Sequence, residues 1–161
     1  MDEYPEMSDL DRIDRKILRA LQDDGRIANV DLAKLIGLSA TACLERVKRL
    51  TREGYIVGFG ARLDPAKLDA GLLVFVEVVL DRTTPDVFER FKEAVLQRPE
   101  VQECHMVAGG FDYLIKARVR DMNAYRDLLG SVLLSLPGVR ETHTYAVMEE
   151  VKHASAIHIP G

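Results

Sequence analysis

The stretch Asn29–Leu50, NVDLAKLIGLSATACLERVKRL, decides how the first third of this chain reads. Two short helical patterns flank Gly37, where a tight turn favours a residue tolerant of positive φ. Asn29 and Ser39 stand where side-chain oxygens can accept the unpaired backbone N–H groups that open each helix. Val30, Leu32, Ala33 and Ile36 form an apolar face on the first helix, and Cys43, Leu44, Val47 and Leu50 one on the second. At 3.6 residues per turn the second helix then turns Thr41, Ala42, Glu45, Arg46 and Arg49 outward. Small residues first and arginines after them suit a helix that enters a DNA major groove by its N-terminal end. A plain helical hairpin with solvating charges would have the same periodicity, so the charge distribution has to decide.

The net charge is −4, which argues against a protein that coats nucleic acid indiscriminately. The charges are unevenly spread. The first 25 residues carry eight acids against four bases, whereas Arg26 to Arg62 carries seven bases against three acids. A basic patch inside an acidic chain attracts phosphate locally. Lys48 and Arg62 join Ser39, Thr41, Ala42, Glu45, Arg46 and Arg49 as expected DNA contacts. A content of 47% hydrophobic and 30% charged residues is that of a soluble globular chain, and 161 residues leave room for one domain or two small ones. No apolar run approaches the roughly 20 residues that span a bilayer, and the acidic N-terminus lacks a signal-peptide pattern. The expected location is the cytoplasm, on the nucleoid.

Working outward, residues 1–8 read as a flexible tail. Asp11 caps a helix with Ile13, Ile17, Leu18 and Leu21 on one face, ended by Asp23, Asp24 and Gly25. After the third helix, Tyr55-Ile-Val-Gly-Phe-Gly-Ala-Arg-Leu63 has the content of a hairpin or wing. Residues 9–63 are thus expected to form a winged helix-turn-helix domain, with a turn-rich hinge over 64–71. From 72 to 151 the order is strand, helix, strand, strand, helix, strand: a ferredoxin-like βαββαβ domain, making the fold class α+β. A weak repeat agrees with two βαβ halves, since Leu96-Gln-Arg-Pro-Glu-Val and Leu134-Ser-Leu-Pro-Gly-Val share one form. Residues 152–161 are a tail with no strong pattern. Large apolar residues such as Leu72, Val74, Val76 and Tyr145 predict a sheet face that pairs with a second copy.

The motifs LDRIDRKILRALQDDGR, GLS-x-T-x-CLERVKRL, LLVFVEV, VQECHMVAGGFDYL and LPGV-x-x-T-x-TYAVMEEVK together resemble the Lrp/AsnC family of bacterial and archaeal regulators. The resemblance runs from Leu10 to about Val151. It implies homodimers that assemble into octamers or similar rings, a small amino acid bound as effector (leucine foremost), and control of amino-acid metabolism genes. It implies no cofactor. Ala40 and Ala42 depart from relatives that often carry proline there, which bears on operator sequence. The family's effector site maps onto Ala108-Gly-Gly-Phe-Asp112-Tyr113, with Gly109, Gly110, Asp112 and Tyr113 as expected contacts and Met106, Met122 and Tyr145 beside them. Glycines let backbone N–H groups approach a carboxylate, and Asp112 offers an anion for an ammonium group. From the residues alone, a hairpin loop that needs glycine for its turn, with Asp112 as cap, explains the same letters.

No catalytic constellation emerges, so the chain reads as no enzyme. His105, His143, His153 and His158 have no metal-site spacing, and Cys43 and Cys104 fall at core positions. Gly58-x-Gly60 lacks the Lys-Ser/Thr pair and helix of a phosphate loop. Two further functions stay open: a nucleoid-organising protein that wraps DNA with low specificity, and an enzyme's amino-acid-sensing module.

Overall fold

The computed structural model describes residues 10–131 and 133–160, which fall into two compact units. The first joins residues 10–62 to the C-terminal segment 153–160; the second is Leu63–Lys152.

In the first unit α1 (Arg12–Asp23), α2 (Asn29–Ile36) and α3 (Ala40–Arg52) surround Ile17, Leu32, Ala33, Ile36, Cys43 and Leu50. Each large aliphatic side chain buried there contributes about 1.5–3 kcal/mol. Asp11 caps α1 in a reciprocal box: its carboxylate accepts the Asp14 N–H at 2.8 Å, and the Asp14 carboxylate accepts the Asp11 N–H at 3.3 Å. Gly37 ends α2 at φ 80°, and Ser39 caps α3 by accepting the Ala42 N–H at 3.2 Å. Three expectations need correction. Asn29 is the first residue of α2 and not its cap; its amide instead donates to the Ala40 carbonyl at 2.8 Å, tying the starts of α2 and α3 together. Leu44 and Val30 are exposed, because each lies off the stripe set by Cys43, Val47 and Leu50 or by Leu32, Ala33 and Ile36. The expected hairpin over 55–63 is absent among the described residues: Tyr55 and Ile56 donate to the Leu50 carbonyl, and the chain beyond runs on without a ladder partner. Val57 and Phe59 consequently remain exposed.

In the second unit β1 (Leu72–Leu80), α4 (Pro85–Leu96), β2 (Val101–Met106), β3 (Tyr113–Val119), α5 (Met122–Ser131) and β4 (Val139–Ala146) form a split βαβ fold. The sheet is antiparallel in the order β2-β3-β1-β4. A 3-10 turn, Pro65–Leu68, lies within the expected hinge. An apolar pattern of Met122, Tyr125, Leu128, Leu129, Val132 and Leu133 predicts one helix through Leu133, but α5 ends at Ser131 and Leu133–Ser135 is a 3-10 turn; Val132 lies outside the described residues.

Side chains alternate across the sheet, and the register fixes which set each face receives. Val74, Val76, Val78 and Leu80 pack with Tyr113, Ile115 and Ala117 beneath α4 and α5. Tyr113 stacks on Phe91 with ring centroids 4.4 Å apart. Val74 and Val76, expected on a face offered to a second copy, are therefore fully buried under the helices, and Leu72 packs against the same core. The opposite face carries Leu73, Phe75, Glu77 and Val79, with Tyr145 opposite Phe75 and His143 opposite Glu77. Arg118, opposite Leu73, is buried on that face and holds Glu150 in a two-oxygen ion pair at 2.7 and 2.9 Å.

Candidate functional site

The outward side of α3 is Thr41, Glu45, Lys48 and Arg52, flanked by Ala40, Ala42 and Leu44, all exposed. Lys48 donates to Glu45 at 3.0 Å, an exposed pair that leaves both groups at the surface. Ser39 at the N-terminal end is occupied in capping. This face is narrow, begins with small residues and ends in cations, which is the form that a groove-entering helix takes.

Arg46 and Arg49 do not point outward. Successive residues turn by about 100°, so Arg46 lies about 140° round from Thr41 and Arg49 about 80°. Both reach the start of α1. Arg46 Nη1 lies 2.6 Å from Asp11 Oδ2 and 2.9 Å from Asp14 Oδ1, and Arg49 Nη2 lies 2.5 Å from Asp14 Oδ2. Asp14 is 1% exposed, whereas the arginine side chains keep 30% and 34% of their surface. The backbone N–H of Asp14, and then Arg46, hold the Asp11 carboxyl below the usual carboxylate range. The carboxylates in turn raise both guanidinium groups. These arginines clamp α3 to α1. The signal available in sequence was the pair of acids at the α1 cap, 32 residues or more ahead of two arginines spaced i, i+3. Arg62 also lies off the α3 face; its guanidinium approaches the Gln22 carbonyl at 3.5 Å.

At one end of the sheet a polar pocket of about 330 Å³ is lined by Val79–Thr83, Gly109–Asp112 and Arg140. Gly109, Gly110 and Asp112 are brought together as expected. Met106, Tyr113, Met122 and Tyr145 do not line it: Tyr113 is in the core on Phe91, and Tyr145 is on the opposite face of the sheet. Phe111 of the mapped loop lines it too, whereas Asp81, Arg82 and Arg140 were missed, because only the antiparallel order of β1 and β4 brings residues 81–83 beside residue 140. Neither Gly109 nor Gly110 has positive φ, and nothing lies within 4 Å of where a Cβ would stand on either. Turn geometry therefore does not require these glycines, and the space over them is open. Asp112 does have a structural duty, since its carboxylate accepts the Leu80 N–H at 2.7 Å and its backbone pairs with Val78 and Val107. The pocket offers two carboxylates and two guanidinium groups, the partners a zwitterion needs, beside Val79, Leu80 and Phe111. Among the described residues no group of histidines, cysteines and carboxylates could hold a metal ion, and no helix is long and apolar enough to cross a membrane.

The Lrp/AsnC ligand binding domain model matches residues 73–157, and a winged helix-turn-helix DNA-binding model matches residues 10–57. The leucine-responsive regulatory proteins of Escherichia coli strain K12 and Klebsiella pneumoniae are each 62% identical over 149 residues, 92% of this chain and 91% of theirs. A transcriptional regulator of Neisseria meningitidis, solved as its complex with L-Met, matches with a TM-score of 0.88 and 37% identity, covering 92% of this chain and 96% of that one. An AsnC family transcriptional regulator from Agrobacterium tumefaciens matches with a TM-score of 0.88 and 35% identity, covering 92% and 97%.

Proposed function

This chain belongs to the Lrp/AsnC family of amino-acid-responsive, DNA-binding transcriptional regulators, and we propose that its effector is leucine or a similar small amino acid held over Gly109 and Gly110. The observation that carries the site is the open space above two glycines that their own backbone conformation does not need. Asp81 and Asp112 face the ammonium group, Arg82 and Arg140 the carboxylate, and Val79 and Phe111 the aliphatic side chain. A volume of about 330 Å³ suits a small ligand. The complex of the Neisseria regulator with L-Met supports an amino acid as the class of ligand.

Operator DNA is read by the α3 face of Thr41, Ala42, Glu45, Lys48 and Arg52, with Arg46 and Arg49 fixing the angle at which α3 is presented. The subunits pair through the open face of the sheet, where Phe75, Val79 and Tyr145 gather, so that two α3 helices meet a pseudo-palindromic site; larger rings built from such dimers follow the family resemblance. The protein works in the cytoplasm, on DNA. Indiscriminate wrapping finds no support in relatives that are regulators, and they are not enzymes.

Titrating leucine, methionine and the other amino acids into the protein by calorimetry, beside operator binding by fluorescence anisotropy, tests the site. Gly110→Ala places a methyl group where no protein atom meets it, so folding is expected to be unchanged and effector affinity to fall at least tenfold, about 1.4 kcal/mol. Unchanged affinity in this variant places the effector elsewhere.

A further inference from the structure

The last nine residues carry no hydropathy pattern, yet 153–160 packs with the DNA-binding unit. The segment is extended, and two side chains of α1 read its main chain. Gln22 donates its amide N–H to the Ile157 carbonyl at 3.0 Å and accepts the Ile157 N–H at 2.8 Å. One side-chain amide thus pairs both backbone groups of one residue, as a neighbouring strand would. Arg19 donates through Nε and Nη2 to the Ile159 carbonyl at 3.2 and 3.0 Å. The spacings match on both sides: Arg19 and Gln22 are i, i+3 on one helix face, and residues 157 and 159 direct their carbonyls the same way in an extended chain. Below them a cavity of about 570 Å³ lies between α1, residues 55–59 and the segment itself, lined by Leu18, Leu21, Tyr55, Ile56 and Phe59 and closed on the other side by residues 155–160.

We propose that Arg19, Gln22 and this cavity form a peptide site on the DNA-binding unit, whose ligand is the chain's own extended segment Ser155–Pro160. Recognition is by main-chain hydrogen bonds, with Ile159 as the half-buried anchor; Ile157 stays 74% exposed and contributes its backbone. The second unit is therefore an insertion between two parts of the first, joined by chain crossings at residues 62–63 and 152–153. The strap is built to release. The Gln22 bonds are open to solvent and the Arg19 bonds partly buried, each is modest in net strength, and attachment at an effective concentration in the mM range keeps the segment seated without tight affinity.

Hydrogen exchange on the full-length protein tests the site. The Ile157 amide, whose N–H Gln22 accepts, is expected to exchange about tenfold more slowly than in the free nonapeptide spanning 153–161, the factor one closed hydrogen bond supplies. Gln22→Ala is expected to bring it to the free-peptide rate while α3, in the same unit, keeps its protection, which separates loss of the strap from loss of folding. Gln22→Glu keeps the oxygen that accepts the Ile157 N–H and is expected to retain most of the protection. Free-peptide exchange in the unaltered protein, or protection that survives Gln22→Ala, overturns the proposal.

Discussion

Replacing Asp14 with alanine should unseat α3. Asp14 is buried and supports three bonds: the Asp11 N–H that closes the cap box, Arg46 and Arg49. Loss of its half of the cap costs about 1 kcal/mol. A hydrogen bond to a charged group contributes about 1.5–3 kcal/mol. Both guanidinium groups keep about a third of their surface, so solvent screening reduces each to about 1 kcal/mol. The sum is about 2–4 kcal/mol. Removing one partner of a buried pair can cost 3–5 kcal/mol, but here the released arginines can turn to water. In a unit of this size 1 kcal/mol moves the melting temperature by about 4–8 °C, so Asp14→Ala should lower the first unit's transition by about 10–25 °C. Arg46→Ala and Arg49→Ala each leave Asp14 one arginine and should cost about 1 kcal/mol, with strong non-additivity against Asp14→Ala. Calorimetry on the full chain reads the transitions, and anisotropy well below them reads operator affinity. Both arginine variants should keep wild-type sequence preference once folded. Unmoved melting combined with relaxed preference would show that the arginines read bases and clamp nothing. The clamp also has a pH signature. Asp11 titrates in the folded protein below its ordinary value of 3.8, so its contribution is full above pH 3.8 and disappears as pH falls through the lower folded value.

On the exposed α3 face, Lys48→Ala should weaken binding to all DNA sequences alike and flatten the salt dependence of binding by about one unit of slope, read by anisotropy across a salt series; an unchanged slope removes Lys48 from the phosphate contacts. Two glycines of the second unit should respond with opposite sign. A Cβ on Gly138 would stand 2.6 Å from Val87 Cγ1 at φ 74°, so Gly138→Ala should destabilise by about 1–3 kcal/mol, while Gly130 lies in α5 with open space around it, so Gly130→Ala should stabilise by about 0.5–1 kcal/mol in a denaturant titration. Burial pushes the Cys104 thiol up to about 11 and the fully buried Cys43 thiol above its ordinary value; neither should react with iodoacetamide at pH 8 until denaturant is added, as mass spectrometry would record.

Helix ends were legible in the letters because capping is local. Asp11, Gly37 and Ser39 act on backbone groups within four residues, and the structure places the start of α1, the end of α2 and the start of α3 beside them. Strand order followed from alternation between helical and extended patterns. Which face of β1 meets the helices did not follow, because LLVFVEVVL is apolar on both sides and a shift by one residue exchanges the faces. No hairpin forms over 55–63 for a related reason: Val57 and Phe59 have strand character, but a hairpin needs a partner, and Gly58 and Gly60 weaken the strand that would supply one.

The candidate sites divide along the same line. The glycines of residues 109–110 were visible in sequence, whereas Asp81, Arg82 and Arg140 became their neighbours only through the pairing of β1 with β4. Arg46 and Arg49 illustrate the limit most directly. Helical periodicity gives a side chain's angle to within a turn, but a guanidinium on a flexible three-methylene stem goes to whichever carboxylate comes within about 3 Å. The start of α1, more than thirty residues earlier in the chain, decides that. Gln22 and Ile157, 135 residues apart, are the extreme case. Periodicity and caps are set by neighbours along the chain, so the sequence determined the helices, the strands and their order; the partner of a charge or an amide is set by neighbours in space, and only packing chose those.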